Sequence, residues 1–198
     1  MATFYKDSKG VLVRDQNRFR KNYRYIRKKP RPLSCDTDDI TSFTWGSYFV
    51  EFNNQTEVEH HFPCCYAEEP IVVATTVSKN SSLSNFNVFV TNITESQCTF
   101  KTSGYYTGFV YYQALTPGVY SMPNIGKTME VVSLNYSSTN TYTHTFTNTF
   151  TCVPIVTATA DTDVNVFITA LTTSQVIVEV SDANYSGKVY LQAVERGC

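Results

Sequence analysis

Apolar and polar positions alternate with a period of two along most of residues 43–194, and no stretch carries a helical period. The runs predict strands at 43–52, 71–77, 87–94, 98–101 and 108–115. A second series is predicted at 129–136, 141–146, 155–160, 165–172, 175–180 and 188–194. Polar or Pro/Gly-bearing stretches separate them: SKNSSLSN at 78–85, and 116–127 with Pro117, Gly118, Pro123 and Gly126. From Thr139 to Thr151 every odd position is Thr, while Tyr142, His144, Phe146 and Phe150 fall on even ones. A strand there presents a hydroxyl face and an aromatic face. We expect that hydroxyl face to be solvated rather than to form the edge of an oligomer.

The strand pattern is written twice. HHF, PIVVATT, NVFVTNIT, SQCTF and GFVYYQA run between His60 and Leu115. HTF, PIVTATA, NVFITALT, SQVIV and GKVYLQA run between His144 and Val194. The one sizeable length change lies between Pro70 and Asn87, where the first copy carries extra residues. Internal repetition with one loop insertion predicts an all-β protein: two tandem antiparallel β-sandwich domains from an internal duplication. The expected organisation is an extended basic arm with an acidic linker at 1–42, a first sandwich at 43–116, a linker at 117–127 and a second sandwich at 128–198.

Charge is divided along the chain. Residues 1–33 hold 11 Lys or Arg and 2 Asp; the remainder holds 5 Lys or Arg and 15 Asp or Glu. The arm interleaves bases with aromatics: Arg14, Arg18, Phe19, Arg20, Lys21, Tyr23, Arg24, Tyr25, Arg27, Lys28 and Lys29. These residues are the expected partner-binding segment. They can thread an acidic, apolar groove of another protein, or pair with phosphates and stack on bases. The protein partner is the favoured expectation. No run of 18 apolar residues occurs, so no membrane partner is expected. Residues 1–10 are charged and carry no apolar core, so no secretory leader is expected.

Candidate chemistry is sparse. HHFPCC at 60–65 has residue types that suit Zn²⁺, but its spacing matches no common zinc module, and no metal or other cofactor is expected. His60 and His144 occupy matching places in the two copies and read as structural. Asp161 and Asp163 fall two residues apart in a loop, short of a calcium shell. There is no G-x-S-x-G, P-loop or H-E-x-x-H, so no catalytic residues are assigned and the protein is not expected to be an enzyme. The six Cys are not duplicated with the repeat: Cys98 aligns with Val176, and Cys152 with Glu68. They are therefore expected to be mostly reduced. Asn-X-Ser/Thr occurs at Asn54, Asn80, Asn92, Asn135 and Asn184, which says little about glycosylation without a leader.

Phe62, Pro70-Ile71-Val72-Val73, Asn87–Thr91 and the closing strand 108–114, with their counterparts Phe146, Pro154–Val156, Asn165–Thr172 and 187–193, resemble the H-type lectin-like β-sandwich. That family occurs in invertebrate agglutinins and in receptor-binding or decoration proteins of tailed phages. The resemblance implies a six-stranded antiparallel sandwich that often trimerises and sometimes binds sugars. Tyr112 and Leu191 stand where lectin members carry Trp in the closing strand, which puts sugar binding in doubt. The expectation is a virion structural protein assembled in the host cytoplasm, a minor capsid, decoration, neck or tail component. It would contact other virion proteins through residues 1–33 and form a homo-oligomer. The alternatives are a glycan-binding module, with contacts from Asn80, Ser81, Asn85, Asp161 and Asp163, and a nucleic-acid-binding coat protein.

Overall fold

Thr141, Thr143 and Thr145 are exposed while Tyr142 and His144 are half-buried, as a period-two strand requires. The same alternation organises the whole chain. The computed structural model describes residues 4–6, 12–14, 45–63, 65–78, 86–122 and 127–196, and among these all regular structure is strand. The chain forms two units, residues Met1–Asp36 and Thr37–Cys198. In the first, β1 (Phe4–Lys6) pairs antiparallel with β2 (Leu12–Arg14).

The larger unit is built from antiparallel sheets. Its first lobe contains β3 (Trp45–His61), β4 (Ile71–Ser78), β5 (Val88–Thr91) and β6 (Gln97–Leu115). Its second contains β7 (Gly118–Met122), β8 (Lys127–Tyr136), β9 (Thr141–Thr145), β10 (Ile155–Ala160), β11 (Val166–Leu171), β12 (Gln175–Val180) and β13 (Gly187–Val194). Strands β3 and β6 are long and pair near both ends, Trp45–Gln55 with Tyr106–Leu115 and Glu57–His61 with Gln97–Lys101, with register shifts between Asn53 and Glu57. Asn54 takes the left-handed conformation there (φ 52°), which Asn tolerates better than most residues. Beyond that irregularity β4 pairs with the last part of β6, and β5 with an earlier part. The two long strands thereby serve two sheet surfaces.

In the second lobe the same roles fall to separate strands. The pairing of β10, β13 and β8 repeats that of β4, the end of β6 and the start of β3. The pairing of β11, β12 and β9 repeats that of β5, the start of β6 and the end of β3. The register matches except at a bulge between Ile168 and Ala170 of β11, which β5 lacks. Ile71 opposes Leu115 as Ile155 opposes Val194. Val88 opposes Thr102 as Val166 opposes Val180, and His60 opposes Cys98 as His144 opposes Val176. Among the described residues β7 has no counterpart. It lies inside the stretch 117–127 and adds to the β8 edge of the second lobe.

Each lobe closes over its own aromatic core. Phe52, Phe100, Tyr106, Tyr112, Val72 and Val90 fill the first, and Leu134, Tyr136, Phe146, Phe150, Val178 and Tyr185 the second. Full burial of each such side chain is worth about 1.5–3 kcal/mol. A third cluster joins the lobes: Ile71, Val73 and Leu115 pack against Met129, Val131 and Tyr190. Thr159 Oγ1 accepts a bond from Ala74 N at 2.9 Å across this junction.

Candidate interaction surfaces

The two matched histidines sit on equivalent strands but have different partners. His60 Nε2 lies 2.6 Å from Tyr112 Oη, inside a ring cluster with Phe62 and Phe100. Burial, and then the neighbouring His61, push the His60 pKa below its ordinary value. His144 Nε2 instead donates to Glu130 Oε1 at 2.7 Å. Glu130 stands where the first lobe has Gly46, and it is buried. Its other oxygen accepts Thr147 N at 2.8 Å. A second buried carboxylate, Glu195, accepts Thr151 N at 3.0 Å and Thr128 N at 2.9 Å. Bonds from the Thr151 hydroxyl and N–H hold the Glu195 carboxyl below its usual range. These two acids pin the loop after β9 to β8 and the end of β13, so their role is structural.

Asp161 and Asp163 also have internal partners. Asp161 Oδ1 accepts Tyr185 Oη at 2.5 Å, and its Oδ2 accepts Lys188 N at 2.9 Å. Asp163 Oδ1 accepts Asn87 Nδ2 at 3.1 Å, bridging to the first lobe. Between the lobes a recess is lined by Glu69, Thr91, Asn92, Asp161, Lys188 and Tyr190. Its one amine, Lys188 Nζ, is 3.2 Å from Glu69 Oε1. Among the described residues no group of three His, Cys, Asp or Glu converges as a metal site would require.

Cys65 and Cys152 are disulfide-bonded, against the expectation for those two, while Cys98 is free and buried as expected; Cys35, Cys64 and Cys198 lie outside the described residues. Burial raises the Cys98 thiol to about 12.

Of the expected arm residues, Arg14 closes β2, opposite Phe4. Arg18, Phe19, Arg20, Lys21, Tyr23, Arg24, Tyr25, Arg27, Lys28 and Lys29 lie outside the described residues, as do Asn80, Ser81 and Asn85.

The surfaces that sequence reasoning missed are apolar. On the outer face of the β3–β6–β4 sheet, Phe49, Tyr111 and Val77 are exposed. Phe49 packs edge-on against Phe109 at 5.3 Å and tilted against Tyr111 at 5.7 Å. On the second lobe Val153, Ile155, Phe167 and Ile168 are exposed along β10 and β11. Such clusters mark interaction sites more often than scattered single residues do. Comparison with protein-family models, with curated proteins and with solved structures finds no match to this chain.

Proposed function

We propose that the protein is a virion structural component, a minor capsid, decoration, neck or tail protein of a virus, with a phage the favoured source. In this reading its larger unit is a tandem pair of antiparallel β-sandwiches that arose by internal duplication, and residues 1–33 anchor it to other virion proteins. The shared strand pairing and largely matching register of the two lobes support the duplication. The observation that carries the functional reading is the combination of a rigid acidic body, two exposed apolar sheet surfaces and a strongly basic arm. The side chains nearest to chemistry, Glu130, His144, Asp161 and Glu195, are spent on internal hydrogen bonds. A protein with this layout works by contact. Deleting residues 1–33 is expected to abolish incorporation into particles while leaving the body folded. Normal incorporation of the truncated chain would refute the anchoring role.

Glycan recognition is the second reading. It is favoured by the ring of Tyr111 beside a recess lined by Ser47, Thr75, Gln113 and Thr157, an apolar platform next to hydroxyl and amide groups. A glycan array probed with the whole protein decides it: binding that is lost in Tyr111→Ala supports the reading, and no hits count against it.

A further inference from the structure

The two lobes carry matched sheet edges that differ in charge. Strand β9 borders the β11–β12–β9 sheet and pairs on one side only, with β12. Asn140 O accepts Val180 N at 2.9 Å, and Phe146 N donates to Ser174 O at 2.9 Å, so the even-numbered residues of this strand bond to β12. In an antiparallel ladder the alternate residues aim their N–H and C=O groups the other way. Here those are Thr141, Thr143 and Thr145. Thr139 Oγ1 accepts Thr141 N and donates to Thr141 O, each at 3.3 Å. The backbone groups of Thr143 and Thr145 have no partner among the described residues.

The end of β3 is the same edge in the first lobe. Phe62 N donates to Ser96 O at 2.8 Å, which turns the backbone groups of Glu57, Glu59 and His61 outward in the same phase. Because His60 matches His144, Glu59 stands where the second lobe has Thr143, and Glu57 where it has Thr141. Both acids are exposed. An unpaired edge is a template for another strand, and charge along it is a common way of blocking that pairing. A copy of the β3 edge laid against itself would set carboxylate near carboxylate, which is unfavourable. The β9 edge carries no such charge. Thr recurs at every odd position from Thr139 to Thr151, so an antiparallel copy that keeps the faces meets Thr with Thr. At the opposite border of the same sheet β11 is interrupted by its bulge between Ile168 and Ala170, which works against pairing there.

We propose that the β9 edge pairs with the β9 edge of a second copy of this chain, antiparallel, about a two-fold axis. The backbone groups of Thr143 and Thr145 bond across that axis, and two three-stranded sheets become one. A contact of this kind is isologous and closes at a dimer. The threonine hydroxyls stay on the water-facing side. Sequence alone favours a solvated face over an oligomer edge; the register with β12 adds the outward backbone groups beside that face. The dimer goes beyond the particle reading and holds or fails independently of it.

Sedimentation velocity of the full chain over a concentration series tests it, with Thr143→Glu and Thr143→Lys as variants. Thr143 is exposed, so both should keep the wild-type melting transition. Should either lose it, Thr145→Glu and Thr145→Lys replace the pair. The wild type is expected to dimerise as its concentration rises. Each variant alone should associate at least about tenfold more weakly, because like charges then meet across the axis. An equal mixture of the two should restore dimerisation, because carboxylate then faces ammonium. A wild type that stays monomeric, variants that associate like the wild type, or a mixture that associates no more tightly than either variant would each overturn the proposal.

Discussion

Replacing Glu130 with Ala removes one buried carboxylate and leaves two donors, one on half-buried His144 and one on exposed Thr147, without their acceptor. The imidazole N–H of His144 loses a partner at 2.7 Å and Thr147 N one at 2.8 Å. The Thr147 hydroxyl, 3.4 Å from the same carboxylate, loses a weaker one. Each buried donor left unsatisfied costs about 1–3 kcal/mol. The Glu130 side chain is only 4 % exposed, so water cannot readily replace it. A body of this size loses about 2–4 °C of melting temperature per kcal/mol, so a loss of about 1–3 kcal/mol in Glu130→Ala should lower the melting temperature by about 2–12 °C. Glu130→Gln keeps the volume and one acceptor oxygen and should cost about 1–2 kcal/mol. The comparison variant is Glu57→Ala, whose pair with Lys101 is as short, at 2.9 Å, but solvent-exposed. It should change stability by no more than about 1 kcal/mol. Urea unfolding of the three variants, with slopes checked against the wild type, measures all of this. If Glu130→Ala were indistinguishable from Glu57→Ala, the argument that Glu130 pins the loop after β9 would be wrong.

Three further outcomes follow from particular contacts. A methyl group on Gly108 would meet the Tyr106 side chain and, at 2.6 Å, the backbone oxygen of Val77, so Gly108→Ala should destabilise by about 1–3 kcal/mol in a thermal melt, and a neutral result would contradict the close approach. Tyr185→Phe should cost about 1–3 kcal/mol, because Tyr185 Oη serves both Asp161 and, at 2.8 Å, Lys188 O. The matched Tyr106→Phe loses bonds to backbone carbonyls alone, at 3.3 Å to Phe109 O and to Val77, with no carboxylate partner, and should cost less; the reverse order in urea titrations would count against the assignment. Stability should also fall with acid, in two steps. The folded pKa of His60 is lowered, so the unfolded chain takes up that proton first, and stability is full above about pH 6.5 and declines below it. The folded pKa of Glu195 is lowered too, so its contribution is present above about pH 4.3 and lost as the pH falls through its folded value. Melts at about pH 7.5, 5.5 and 3.5 check both steps, and His60→Gln should flatten only the first.

Strand positions were largely legible because period-two alternation survives wherever one face is buried. The segments expected at 155–160 and 175–180 match β10 and β12 residue for residue. What escaped was continuity. The runs expected at 98–101 and 108–115 are one strand, β6: the intervening TSGYYT carries no clean alternation, yet Thr102 pairs with β5 and Tyr106 and Thr107 with β3. Likewise β3 runs past Phe52 through NNQT, polar residues that read as a loop and in fact accommodate the register shifts. The Pro- and Gly-bearing stretch hid β7, an edge strand at which such residues are tolerated. Glu130 and Glu195 were invisible because an acid in sequence reads as solvent-facing, and their partners lie 14 to 67 residues away. The exposed surfaces could not be told from their buried counterparts at all. Ile71 and Ile155 are the same residue in the same motif, and only the placement of one lobe on the other separates them.

The central claim, that this is a particle component, is tested most directly by where the native protein travels in a gradient. Source lysate would be treated with nuclease, sedimented, and probed with an antibody to the chain. The account predicts detection in a fast-sedimenting, nuclease-resistant particle. Detection only as a small free species would contradict it.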